Sequence, residues 1–280
     1  MTEPAPSRGC IYIATGCAYL DEAFVSYTSL RRHMPDLPVC CFTDDPEYAK
    51  RFFSHVERID RPFRNFLEKV PPLLKSPFER TLFLDTDTVI NAPIDDLFDL
   101  LDRFDLAAAP DPFWVEAPGC PACFQHLNTG LIVYRRTDQV MDFFRRWLSE
   151  YQAELSATTD SPHDQLLFQR CLYESDLRLY VLPVEYNLRL TCPQLIRIWA
   201  AARVLHSRDM ADLPDLGCRL NRKSDFRVVF PNWTLLSRTS AHVISGRSDR
   251  VLDGFTRAFR VGIAFGALVL RQLRRVRKWP

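Results

Sequence analysis

Thr81-Leu82-Phe83-Leu84-Asp85-Thr86-Asp87-Thr88 joins a short apolar run to a pair of aspartates. A short apolar run closed by polar residues reads as a buried strand, and this one ends at Asp85. Residues two apart on an extended chain point the same way, and a turn at the strand end would let the Asp85 and Asp87 carboxylates converge on one ion. Paired carboxylates with few other protein ligands suit Mg²⁺ or Mn²⁺, whose remaining positions go to phosphate oxygens and water. A departing nucleoside diphosphate gains charge that such an ion neutralises. The plain alternative is a pair of solvated turn aspartates.

Upstream, Cys10 to Thr15 is a short apolar run ending at Gly16, and Val39 to Thr43 is another ending at Asp44-Asp45-Pro46. Both read as strands, with Val56 to Ile59 as a weaker third. Between the first two, Phe24, Tyr27 and Leu30 recur at helical spacing in Asp21 to His33. Downstream, Leu106 to Ala109 and Leu131 to Tyr134 read as strands, and Asp138 to Tyr151 and His163 to Tyr173 as helices. Leu179 to Val184 and Arg203 to His206 are further strand candidates, and Pro214 to Ser240 shows no regular pattern. Strand and helix in alternation predict an α/β fold: a Rossmann-like, mostly parallel sheet with helices on both faces. Ligands of such sheets bind beyond the carboxyl ends of the strands, where Asp44, Asp85 and Asp87 fall.

Several other residues have two readings each. Lys69 is a surface lysine or a cation for a diphosphate. Asn128-Thr129-Gly130 is a plain turn entering a strand, or a place where an amide meets sugar hydroxyls. Asp164 and Gln165 follow Ser161-Pro162 and either open a helix or contact a sugar. His206 is a core histidine at a strand end or a metal ligand. Cys120-Pro121-Ala122-Cys123 has zinc or redox spacing, but no second pair of that spacing completes a structural zinc set. Phe113-Trp114 reads as core, or as a stacking surface for a sugar acceptor.

In this order the motifs resemble the glycogenin-like nucleotide-diphospho-sugar transferases of the GT-A fold. The similar segments are Ile13-Ala14-Thr15 with Tyr19, Lys69 ahead of Asp85-Thr86-Asp87, Asn128-Thr129-Gly130, His163-Asp164-Gln165, Leu182-Pro183-Val184-Glu185-Tyr186-Asn187 and Val204-Leu205-His206. They run from about Cys10 to His206. The resemblance implies a GT-A domain over 10–240 and a Mn²⁺ or Mg²⁺ ion on Asp85, Asp87 and His206. It places the nucleotide donor against Ala14, Thr15, Tyr19, Asp44, Lys69, Asp85, Thr86 and Gly130, and gives Asn128, Asp164 and Gln165 roles at the sugar. It also implies a UDP-linked donor, a saccharide, lipid-linked or protein acceptor, and retention at the anomeric carbon. The family's His-x-x-Gly gives way here to His206-Ser207-Arg208-Asp209, so Arg208 is the residue expected to meet phosphate.

The Asp-x-Asp string also fits haloacid-dehalogenase-like phosphatases, in which the first aspartate attacks phosphorus. That family's motif ends the first strand of its domain, whereas three strands precede it here. A non-catalytic sugar-nucleotide-binding module is the other alternative.

Composition narrows the partners. The chain has 280 residues, 47% hydrophobic and 25% charged, and its formal net charge of +1 points to no special partner, so nucleic acid is not expected as one. Nine cysteines without an export signal predict reduced thiols and a cytoplasmic location. Residues 1–9 read as a disordered lead. From Val251 onward, Arg257, Arg260, Arg271, Arg274, Arg275, Arg277 and Lys278 stand against Asp253 alone. Residues 251–280 are therefore expected to form a basic amphipathic helix. Its apolar stretch, Val261 to Leu270, is too short to span a bilayer. It fits either packing on the domain or peripheral attachment at the anionic inner face of a membrane.

Overall fold

The computed structural model describes residues 7–113, 117–157, 164–208, 210–230 and 242–245. In chain order, β1 (Arg8–Ile13) leads to α1 (Cys17–His33), β2 (Val39–Thr43), α2 (Pro46–Ala49) and β3 (His55–Arg58). A 3₁₀ turn at Phe66–Lys69 and α3 (Val70–Leu74) precede β4 (Arg80–Leu84), β5 (Thr88–Ile90), α4 (Asp96–Leu100), β6 (Leu106–Pro110) and β7 (Leu127–Arg135). Next come α5 (Asp138–Ala157), α6 (Asp164–Tyr173), β8 (Leu179–Val181), a 3₁₀ turn at Val184–Tyr186, β9 (Leu188–Arg189), β10 (Gln194–Ile196) and β11 (Val204–His206). The remaining described elements are α7 (Leu213–Asn221), β12 (Arg227–Phe230) and β13 (His242–Ser245).

The central sheet has seven strands in the order β3-β2-β1-β4-β7-β6-β8. Its pairings are parallel except around β7, which runs antiparallel to both neighbours. Successive strand residues face opposite layers, and the sequence fills both with apolar side chains. Tyr12, Cys41, Leu82, Leu84, Leu131 and Val133 join Leu20, Leu30 and Phe98 on one side. Ile11, Phe42, Phe83, Ile132 and Tyr134 join Val70, Phe144, Trp147 and Phe168 on the other. Each such side chain contributes about 1.5–3 kcal/mol when fully buried, so both cores favour this register over a one-residue slip.

The antiparallel strand is what builds the site. Because β7 enters from the edge where β1, β2 and β4 end, it delivers Asn128, Thr129 and Gly130 beside Asp85. The Asp85 N–H donates to the Gly130 carbonyl at 2.8 Å. A second sheet, β5-β11-β9, sets His206 opposite Thr88, and the Ser207 N–H donates to the Asp87 carbonyl at 3.0 Å. A third, β10-β12-β13, packs Ile196 and Val229 against Leu213, Leu216 and Leu220 of α7.

Several expectations change. Asn128-Thr129-Gly130 is not a turn before a strand but part of β7. Asn and Gly favour turns locally, yet this Gly serves a close backbone approach instead. Arg8 and Gly9, expected in the lead, pair with Arg80 and Thr81. The irregular stretch expected from Pro214 contains α7 and β12; Pro214 sits in the first turn of α7, where its missing N–H is no loss. The helix expected over 251–280, the Trp114 side chain and His163 lie outside the described residues.

Candidate metal and donor site

Asp85, Asp87 and His206 converge at the ligand edge, with one donor atom of each lying within 4.8 Å of the others. His206 Nε2 stands 3.2 Å from Asp87 Oδ1 and 4.0 Å from Asp85 Oδ2. Ligands held about 2.1 Å from an octahedral ion stand about 3 Å apart when adjacent and about 4 Å when opposite, so these separations suit one Mg²⁺- or Mn²⁺-sized ion. Gly130 forms the floor. A Cβ there would overlap Cε1 of His206 and lie 2.7 Å from Asp85 Oδ2. The donor set joins two carboxylates, a ligand type suited to Mg²⁺ and Mn²⁺, with one imidazole.

Cations flank these acids. Lys69 Nζ is 3.0 Å from Asp164 Oδ2 and 3.5 Å from Asp85 Oδ1, and donates to Thr129 Oγ1 at 3.2 Å. Burial works against its charge, but Asp164 and then Asp85 outweigh it and raise the ammonium pKa above that of ordinary lysine. Arg208 Nε lies 3.2 Å from Asp87 Oδ2, with its guanidinium 5.7 Å from the Tyr19 ring centroid. Burial pushes the Asp87 carboxyl up, while His206 and Arg208 pull it well below the usual range. Thr86 donates to Glu22 Oε2 at 2.9 Å, and Arg208 Nη1 is 3.6 Å from the same oxygen.

Beside the ion site lies a buried polar network. Asn128 Nδ2 donates to Asp111 Oδ2 at 2.9 Å and to Gln165 Oε1 at 2.6 Å. Gln165 Nε2 donates to Asp111 Oδ2 at 3.1 Å, and Thr129 Oγ1 to Asp164 Oδ2 at 2.8 Å. Asn187 links Asn128 to His206. A buried polar group left unpaired costs about 1–3 kcal/mol, and this network satisfies its members. Asn128 is fully enclosed, and its amide is held by these neighbours.

The remaining expected residues occupy the same edge farther along. Ala14 is buried, with its N–H bound to the Phe42 carbonyl at 2.9 Å. Thr15 is half-buried and Tyr19 exposed. Asp44 Oδ1 accepts from the Gly16 N–H at 2.8 Å, tying the loops after β1 and β2 together. Gly16 has φ 87, the left-handed region that glycine favours. Gly130 supplies room for the ion site, its N–H being donated to Asn128 Oδ1.

Sequence reasoning gave no role to Glu22, Asp111, Arg189 or Asn187, the last quoted only within its motif. Asp111 follows a strand end just as Asp44 and Asp85 do, so the same rule finds it. Asn187 closes the Leu182–Asn187 motif. Arg189 pairs in register with His206, and its Nε is buried without a hydrogen-bond partner.

Comparison with known proteins agrees with this fold. The solved structure of the glycosyltransferase GlyE from Streptococcus pneumoniae superposes with a TM-score of 0.55 at 16% identity, over 78% of this chain and 61% of that one. The fold is that of a glycosyltransferase. Human glycogenin-1 is 45% identical over 58 residues, covering 21% of this chain and 13% of that protein. Mouse glycogenin-1 is 41% identical over 83 residues, 29% of this chain and 21% of that one. The chain thus spans under a quarter of the length of these curated relatives. No family model matches the sequence. The resemblance to a glycogenin-like GT-A glycosyltransferase therefore rests on a short stretch of sequence and on the fold together.

Proposed function

We propose that this protein transfers a sugar from a UDP-linked donor to a saccharide, lipid-linked or protein acceptor, with a divalent ion held by Asp85, Asp87 and His206. The observation that carries this reading is the convergence of those side chains at the carboxyl edge of a glycosyltransferase-type sheet. When bound there, the ion would offset charge on the departing diphosphate.

The chain's own residues supply the rest. Lys69, kept charged by Asp164 and Asp85, offers an ammonium to the diphosphate. Arg208 and the unpartnered Nε of Arg189 flank the same acids. Ala14, Thr15, Tyr19 and Asp44 border the place for the nucleobase and ribose, and Thr86 steadies the motif through Glu22. Asp164 and Gln165 face the donor sugar, positioned by Thr129 and Asn128. Retention at the anomeric carbon follows the glycogenin-like enzymes.

Among the described residues no helix is long and apolar enough to cross a membrane. The basic tail of 251–280 supports reversible attachment to an anionic membrane surface. Incubation of the protein with UDP-sugars and Mn²⁺ tests the activity. Metal-dependent release of UDP supports transfer or donor hydrolysis. Phosphate release from phosphomonoesters would favour the phosphatase, and nucleotide binding without turnover the binding module.

A further inference from the structure

We propose that Asn187 is a positioning residue that locks the His206 ring in one tautomer, and that the Gly130 backbone dictates the choice. The inference deepens the metal-site reading and rests on it for its purpose, but its geometry stands alone. A backbone N–H only donates, whereas the two ends of an asparagine amide are told apart only by their partners. The Gly130 N–H points at Asn128 from 2.9 Å, so the atom it meets is the oxygen, Oδ1. The other end of Asn128 agrees, because its Nδ2 donates to the acceptor oxygens of Asp111 and Gln165 at 2.9 and 2.6 Å.

Asn128 Oδ1 also lies 2.8 Å from the Asn187 amide. An acceptor there demands a donor opposite, so Asn187 presents Nδ2 to Asn128 and turns Oδ1 toward His206 Nδ1, 2.8 Å away. That oxygen only accepts, so Nδ1 carries the hydrogen. In the neutral ring Nε2 is then bare, with its lone pair directed at the Asp85 and Asp87 carboxylates. A lone pair facing carboxylate oxygens is unfavourable unless a cation or a proton lies between them. The relay thus holds the ring as a ligand in advance, in the manner of partners that orient metal-bound histidines. Reversing the tautomer would set donor against donor or acceptor against acceptor at a contact buried on all sides.

Long-range ¹H–¹⁵N correlation on metal-free, ¹⁵N-histidine-labelled protein at pH 9, above the ordinary histidine range, reads the tautomer directly. The expected His206 pattern has Nδ1 protonated throughout, with Nε2 the nitrogen that is bare whenever the ring is neutral. Asn187→Leu should lose that pattern and bind Mn²⁺ about 10–100-fold more weakly, while Asn187→Asp keeps an acceptor oxygen at Nδ1 and should retain the Nδ1 proton, though it gives up the donor to Asn128 Oδ1 and with it some stability. A wild-type ring with Nδ1 bare and the proton on Nε2 alone, or an Asn187→Leu variant with unchanged tautomer and Mn²⁺ affinity, overturns the proposal. If Asn187→Leu does not fold, the wild-type and Asn187→Asp spectra decide. A wild-type protein with the expected tautomer but no Mn²⁺ binding overturns the metal reading and leaves the relay standing.

Discussion

Gly130 and His206, which come from different sheets, approach so closely that a single methyl group on Gly130 would overlap the imidazole at Cε1. The glycine is therefore a requirement of the ion site, not of the strand, whose backbone pairing any residue could make. Gly130→Ala should displace the His206 ring and weaken Mn²⁺ binding at least about tenfold, with an overpacking cost of about 1–3 kcal/mol. A Mn²⁺ titration beside a thermal melt checks both. Wild-type affinity in the variant would show that the ring has room to move.

That contact also shows how far the sequence could be read. The strand ending at Asp85 was legible because its apolar run is buried on both faces, and Val39 to Thr43 for the same reason. Asp85 and Asp87 were legible as paired carboxylates at a strand end, and His206 joined them only through the resemblance. Asn128-Thr129-Gly130 was misread as a turn because local propensity carries no record of a histidine arriving from a distant strand. Glu22, on an exterior turn of α1, had no signal of its own; only the fold brings it to Thr86. Helix α7 was obscured by Gly217, which is small because a Cβ would overlap the Asn91 side chain.

Lys69 is the cation most enclosed by this site, touching Asp164 and Asp85 at once. Lys69→Met would leave Asp164 buried with its charge unanswered, a change that typically costs about 3–5 kcal/mol. Asp85 is partly exposed, so water screens its share and the lower end applies. Urea denaturation should show this loss, and added Mn²⁺ should recover part of it by neutralising Asp85. An unchanged midpoint would mean that Lys69 contributes no stability there.

Asp105 supplies a pH dependence remote from the site. Hydrogen bonds from Arg178 and then Arg135 hold its carboxyl well below the usual carboxylate range. A folded pKa below the unfolded value stabilises at pH above the unfolded value of about 3.9. That stability is lost as pH falls from there through the folded value. Melting temperature should therefore decline from about pH 4 downward, and less steeply in Asp105→Asn. Parallel acid limbs in the two proteins would remove Asp105 as the cause.

The basic tail gives a separable prediction. A chain ending at Ser248 lacks all seven tail cations from Arg257 to Lys278. Each contributes about 1 kcal/mol near an anionic surface. The shortened chain should no longer sediment with anionic liposomes yet should keep nucleotide binding, because every proposed site residue precedes Asp209. The full chain should release from liposomes at high salt, where exposed charges are screened. Equal sedimentation of both forms contradicts a membrane role for the tail.

On the proposed function, Asp85, Asp87 and His206 hold an ion through which the protein binds a nucleoside diphosphate. Calorimetric titration of UDP, with GDP and ADP as alternatives, into protein containing Mn²⁺ or EDTA tests it most directly. UDP should bind saturably with Mn²⁺, at least about tenfold more weakly in EDTA, and not detectably to an Asp87→Ala protein that still melts cooperatively. Equal affinity with Mn²⁺ and with EDTA, or wild-type affinity in Asp87→Ala, would contradict it.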